Sequence, residues 1–326
     1  MTPPPSTSFS PSDILPATLS RLLALYPNTA RNVYQAKLEA KSKASKNDID
    51  EQVRSFVDLD NWRYEVLPAT LKHRAEGQGP SKARPAKRVK KAADASDELR
   101  LKKDELVQLM EWKLKHGSFR PALMNLIRSN PEPAIYTATS NAASSLPTTT
   151  VGSDTDADAF FPSLSLEVLT KSLRGVGPAT ASLILSASTA GGSANQVPFF
   201  SDEMYWWLCS HRYPSPANPA GPLKPPPKLK YTMKEYRELW GCARELKARL
   251  DNLDGNHLFS MQDIEKAAFV IGHFECSGYA TAAANPDPKT ASSKAANEGE
   301  DNEQPVIQET DVGNKDGKPK KRKRKH

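Results

Sequence analysis

The stretch Leu173-Arg174-Gly175-Val176-Gly177-Pro178-Ala179-Thr180-Ala181-Ser182-Leu183-Ile184-Leu185 dictates a sharp reversal between two helices. Upstream of it, Leu164, Leu166, Val168, Leu169 and Leu173 set an apolar stripe along a short helix, with Ser163 or Ser165 available as its N-cap. Gly175 and Gly177 then break the pattern. Glycine takes positive φ without steric cost, so the pair permits a tight turn and lets a ligand approach the backbone closely. Pro178 opens the next helix, where its missing N–H costs nothing, and Thr180, Ala181 and Leu183 to Leu185 carry that helix into a core. This arrangement predicts unpaired amides from Val176 to Ala179 at the positive end of a helix dipole, a place that attracts phosphate. Lys171 and Arg174 add full charges beside it. The same pattern also suits a helix–turn–helix corner that binds nothing.

Residues 173–181, Leu-Arg-Gly-Val-Gly-Pro-Ala-Thr-Ala, resemble the helix-hairpin-helix element of DNA glycosylases and related repair proteins. That element usually reads Leu-Pro-Gly-Val-Gly followed by a basic residue, Thr and Ala. The flanking Leu, the Val between the glycines and the Thr-Ala opening all agree, so the match is more specific than a bare Gly-x-Gly. The resemblance implies an all-α, glycosylase-like helical domain that contacts DNA mainly through phosphates, with little direct sequence readout. Gly175, Val176, Gly177 and Ala179 would give backbone donors, Thr180 would open the second helix, and Lys171 and Arg174 would supply charge.

In that family an aspartate follows the second hairpin helix and begins the next one, pointing into a pocket between two helical subdomains. The resemblance implies that Asp202, within Val197–Leu208, takes this place; Gly191, Gly192, Ser193 and Asn195 absorb a longer than usual interval in a loop. An ionised carboxylate there would stabilise positive charge developing on a deoxyribose as a base leaves, or orient the attacking water. Phe199, Phe200, Tyr205, Trp206 and Trp207 offer walls for an extruded base, although consecutive Trp residues on a helix point in different directions, and core packing is their ordinary role. A plainer account serves equally: Ser201 or Asp202 caps a helix, with Glu203 favouring its dipole. Several positions depart from the family. Pro178-Ala179 replaces the basic residue, and Ala179 falls where bifunctional members carry their Schiff-base lysine, which argues against a strand-cleaving lyase of that kind. Asp202 is followed by Glu203-Met204, and only Cys242 and Cys276 stand where some members carry a four-cysteine iron–sulfur loop.

Forty-five Lys and Arg against 38 Asp and Glu give a net charge of +7, compatible with an acidic partner. The distribution is more informative. Lys82, Arg84, Lys87, Arg88, Lys90 and Lys91 form one basic run, and Lys318, Lys320, Lys321, Arg322, Lys323, Arg324 and Lys325 form another. Both look like nuclear import signals, which implies an import receptor as partner and a nuclear location; a solvated tail that touches nucleic acid is the alternative. Cys209, Cys242 and Cys276 show no CxxC pattern, so neither a disulfide framework nor a zinc site is expected. His211, His257 and His273 are too scattered for a metal site, and Asp154-x-Asp156-x-Asp158 lacks the glycine and distal glutamate of a calcium loop. No cofactor is implied. No apolar run is long enough to span a bilayer, and the first residues do not form a signal segment.

Pro, Ser, Ala and charge-rich stretches divide the chain. Residues 1–76 read as an N-terminal helix and arm, 77–96 as a basic linker, 97–280 as the glycosylase-like helical domain with its hairpin at 164–189, and 281–326 as a disordered tail. Helices are expected at about 16–44, 97–116, 120–129, 164–173, 178–189, 202–212, 232–250 and 260–274. Residues 137–157 read as a loop, the proline-rich 214–228 as extended, and Leu59–Leu67 as a helix-poor arm carrying two aromatics. Lys113, Lys115 and Arg120 lie around a Gly117–Pro121 turn, either as added phosphate contacts or as a solvent-facing basic turn. Three functions fit a monomer of this kind: a nuclear DNA-binding protein using the hairpin, a monofunctional DNA glycosylase using Asp202, or an interaction module whose hairpin only stabilises the fold.

Overall fold

In the computed structural model the described residues are 8–41, 45–76, 100–117, 120–147, 160–192, 195–215, 226–255 and 258–279. Both basic runs, the Asp154–Asp158 cluster, His257 and the tail from 281 lie outside them. Every regular element among the described residues is helical.

Helix α1 (Pro16–Lys41) buries Leu19, Leu22, Tyr26, Ala30 and Val33 at helical spacing, against α2 (Lys46–Asn61) on one side and α11 (Met261–Gly272) on the other. Ser45 and Asp48 cap α2 reciprocally, satisfying two amides that would otherwise be orphans. The stretch Leu59–Leu67, expected to be helix-poor, is helical throughout. Helix α2 runs into a π-helical turn (Trp62–Val66) and then α3 (Leu67–Ala75). Aromatic residues are mediocre helix formers, and here tertiary burial overrides propensity. The wider turn lets Arg63 and Tyr64 both enter the interior. There Arg63 Nη2 donates to Glu265 Oε2 at 2.9 Å and Tyr64 OH to Glu265 Oε1 at 2.8 Å.

Helices α4 (Lys103–His116), α5 (Pro121–Arg128) and α6 (Glu132–Ser144) follow. Most of α6 lies where composition suggested a loop. Its Thr and Ser residues are compatible with a helix because they donate back to the preceding turn, as Thr139 Oγ1 does to Ile135 O at 2.9 Å. Ile135, Ala138 and Ala142 supply the face that packs on α7 (Ser163–Ser172). Helix α8 (Pro178–Thr189) is buried nearly all round, as a central helix must be. The helix expected at 202–212 stops at Leu208 (α9, Asp202–Leu208), and α10 (Met233–Leu253), α11 and the short α12 (Phe274–Ser277) complete the fold. Capping boxes at Thr232/Glu235 and Ser260/Asp263 set the starts of α10 and α11.

Candidate functional site

Leu173 leaves α7 in an extended conformation, Gly175 turns the chain at φ 78°, and Gly177 serves as N-cap residue of α8 at φ −102°, with Pro178 first in the helix. Gly175 is required by the fold: its φ is left-handed, and a Cβ there would stand 2.9 Å from Leu126 Cβ. Gly177 is different. Its backbone is ordinary and a Cβ would meet nothing within 4 Å, so the protein itself does not demand glycine there. The amides of Gly177 and Ala179 find no acceptor among the described residues, whereas Thr180 N and Ala181 N both donate to Gly177 O at 2.9 Å.

The hairpin is held from below by buried Asn130, which follows α5. Its side chain accepts from Arg174 N and donates to Arg174 O, each at 2.9 Å, pairing with that residue as a neighbouring strand would. From α8, Ser182 Oγ accepts from Phe200 N at 2.9 Å, and Tyr236 OH donates to Pro198 O at 2.8 Å. These bonds fix the extended segment 197–201 and thereby the start of α9. Ser201 caps that helix, accepting from Met204 N at 3.2 Å. Asp202 is therefore relieved of the capping role, and its Oδ1 accepts from Tyr231 OH at 2.6 Å.

A cavity of about 320 Å³ opens between these parts, within the usual size range of small-ligand sites. Gly175, Gly177, Pro178, Ala179 and Thr180 form one wall, Phe199 to Glu203 a second, and Lys113, His116, Arg120, Lys230 and Tyr231 much of the rest. Lys113 Nζ donates to Thr180 Oγ1 at 2.7 Å, so the Thr180 hydroxyl is already engaged. The Arg120 guanidinium lies 5.4 Å from the centre of the Tyr231 ring. Tyr231 holds a positive φ of 56°, which is strained for a non-glycine residue; its contact with Asp202 accompanies that strain.

The titrating groups divide by environment. Burial raises Asp202 from its ordinary value, against the opposing hydrogen bond from Tyr231. Burial would also raise Glu203, but its hydrogen bond and charge interaction with His273, 3.3 Å away, outweigh this and hold it at about 2. Burial lowers Lys113 to about 8, with Arg120 adding to the effect and Asp202 opposing it. His116 is pushed down to about 3 by burial between the Trp112 and Phe269 rings, so it is neutral at physiological pH.

The hairpin glycines, Ala179, Thr180 and Asp202 thus share one cavity. Lys171 and Arg174 do not line it: Lys171 is exposed and pairs with Glu167 at 2.7 Å, and Arg174 contributes backbone to the Asn130 clamp. Val176 is buried. Of the proposed aromatic walls, Phe199 and Phe200 line the cavity. Trp207 instead donates to Phe9 O at 2.8 Å, Trp206 to Pro227 O at 3.2 Å, and Tyr205 to Glu238 at 2.6 Å. Lys113 and the exposed Arg120 line the cavity, whereas Lys115 pairs with Glu111 at 2.7 Å. Tyr231, Lys230, His116 and Asn130 carry no local sequence signal. Among the described residues no cluster of metal-ligating side chains occurs, and no helix is long and apolar enough to cross a membrane.

No family model, curated protein or solved structure matches the chain.

Proposed function

We propose that this chain binds DNA through the 173–180 hairpin and removes a base from a nucleotide drawn into the adjoining cavity, with Asp202 as the catalytic carboxylate. The observation that carries this reading is the division of labour at the start of α9: Ser201 caps the helix, and Asp202 lies on the cavity that the free hairpin amides border. The amides of Gly177 and Ala179, at the positive end of α8, suit a phosphate. Arg120 and Lys230 add charge at the cavity, while Phe199 and Phe200 offer apolar surface to a base taken out of its stack.

As the bond from C1′ to the base nitrogen lengthens, positive charge develops on the sugar. A carboxylate held by one hydrogen bond in a partly desolvated wall stabilises that charge more strongly than it would in water. The base leaves with the electron pair of the broken bond, water adds at C1′, and the proton that the water sheds ends on the departed base. Binding with no chemistry remains the competing outcome of the test. The full chain is mixed with duplexes carrying single damaged or mismatched bases, and base release is followed beside affinity. Asp202→Asn is expected to retain affinity and lose release by a factor of about 100 or more. Tight, hairpin-dependent binding without release from any duplex in the wild type would leave only a DNA-binding role.

A further inference from the structure

Lys113 is an unusual lysine. Its stem comes from α4, its ammonium is drawn into the cavity wall, and its hydrogen bond goes to a neutral hydroxyl, Thr180 Oγ1, at 2.7 Å. Desolvation favours the uncharged form of such a group, and at about 8 the free amine, which is the nucleophilic form, is populated near neutrality. Base release by Asp202 would leave in the same cavity a sugar whose C1′, on ring opening, is an aldehyde. An amine and an aldehyde confined together condense.

We propose that Lys113 captures the C1′ aldehyde of an abasic site in DNA as an imine, an inference that rests on the DNA reading of this cavity. Nζ attacks the carbonyl carbon and the new N–C1′ bond forms. The carbonyl oxygen departs as water with the two hydrogens that the amine gives up, leaving a C=N bond with no change in net oxidation level. The neighbouring charges suit the step. Arg120 disfavours a second cation, so it helps keep Nζ unprotonated, while Asp202 compensates the cationic iminium once it forms.

The test uses the full chain and a duplex carrying one preformed abasic site, with cyanoborohydride to reduce the imine to a stable secondary amine. The adduct is quantified on a denaturing gel and its position read by peptide mass spectrometry. The expected result is an adduct on Lys113, a yield reduced about tenfold or more in Lys113→Met and Lys113→Arg, and continued trapping by Asp202→Asn, because the base is already gone. An adduct mapping to Lys318–Lys325 or another lysine, or unchanged yield in folded Lys113 variants, overturns the proposal. Should neither variant fold, the mapped position in the wild type decides. Hairpin-dependent binding with no adduct defeats this inference alone, whereas loss of hairpin-dependent binding defeats the DNA reading beneath it.

Discussion

Two glycines two residues apart do different physical work, and that difference can be measured. Gly175 sits at φ 78° with Leu126 Cβ only 2.9 Å from where its own Cβ would stand, so Gly175→Ala is expected to cost about 1–3 kcal/mol and to lower Tm. Gly177 has an ordinary φ and open space, so Gly177→Ala is expected to leave Tm near that of the wild type while weakening DNA binding, because a methyl group would stand where a phosphate must approach. Equal affinities for Gly177→Ala and wild type would show that nothing approaches that amide. His116 offers a second test. Its neutral form is favoured in the folded state, down to about 3 against an ordinary value near 6.5. Between those limits the unfolded chain binds the extra proton, so stability rises with pH through this window, by about 1.4 kcal/mol per pH unit at most, and is lost as pH falls below 6.5. Urea unfolding from pH 5 to 6.5 should show this slope in the wild type and a shallower one in His116→Phe, which keeps a ring between Trp112 and Phe269.

At the scale of elements, the hairpin depends on the buried amide that follows α5. Asn130 offers Arg174 one donor and one acceptor, and also donates to Leu126 O and Ile127 O. Asn130→Asp keeps the shape and the acceptor but removes the donor, leaving several carbonyls facing a carboxylate. The expected cost is about 1–3 kcal/mol in chemical denaturation, with weaker hairpin-dependent DNA binding. No change in either would mean that α7 and α8 hold the turn unaided. This clamp also shows what the sequence could and could not reveal. The two hairpin helices were legible because their signals are contiguous: an apolar stripe, two glycines and a proline at the first helical position. Asp202 was singled out only through the resemblance, by its place after the second helix, and the all-α class followed from the helical stripes. Asn130, Lys113, Arg120 and Tyr231 belong to segments far apart in the chain, and only folding brings them to the hairpin. The misread elements have another cause. Helix α6 looks like a Thr/Ser-rich loop, and the π-helical turn looks like an irregular aromatic arm, because the helicity of each comes from the surface it buries.

At the scale of the whole molecule, the cavity depends on residues that precede the segment 97–280. Arg63 neutralises Glu265 in the interior, and Tyr64 OH donates to the same carboxylate. Asp60 accepts from both Tyr26 OH at 2.9 Å and Trp112 Nε1 at 2.8 Å, which orients the tryptophan stacked on His116. Lys37 Nζ donates to His116 O, the last carbonyl of α4, and to Gly117 O beyond it, and so fixes the end of the helix that carries Lys113. The N-terminal segment closes the other side, where Trp207 donates to Phe9 O and Arg249 to Pro11 O and Ile14 O. A fragment containing only 97–280 would strip Glu265 of both Arg63 and Tyr64 and would expose the apolar face of α11 that α1 covers. Typical domains have only about 5–15 kcal/mol in hand. The fragment is therefore expected to lack a cooperative thermal transition in circular dichroism, while residues 8–279 melt as one unit. If 97–280 instead melts cooperatively and retains hairpin-dependent binding, the N-terminal helices are a separable cover, and the buried Arg63–Glu265 pair sets their docking rather than the integrity of the site.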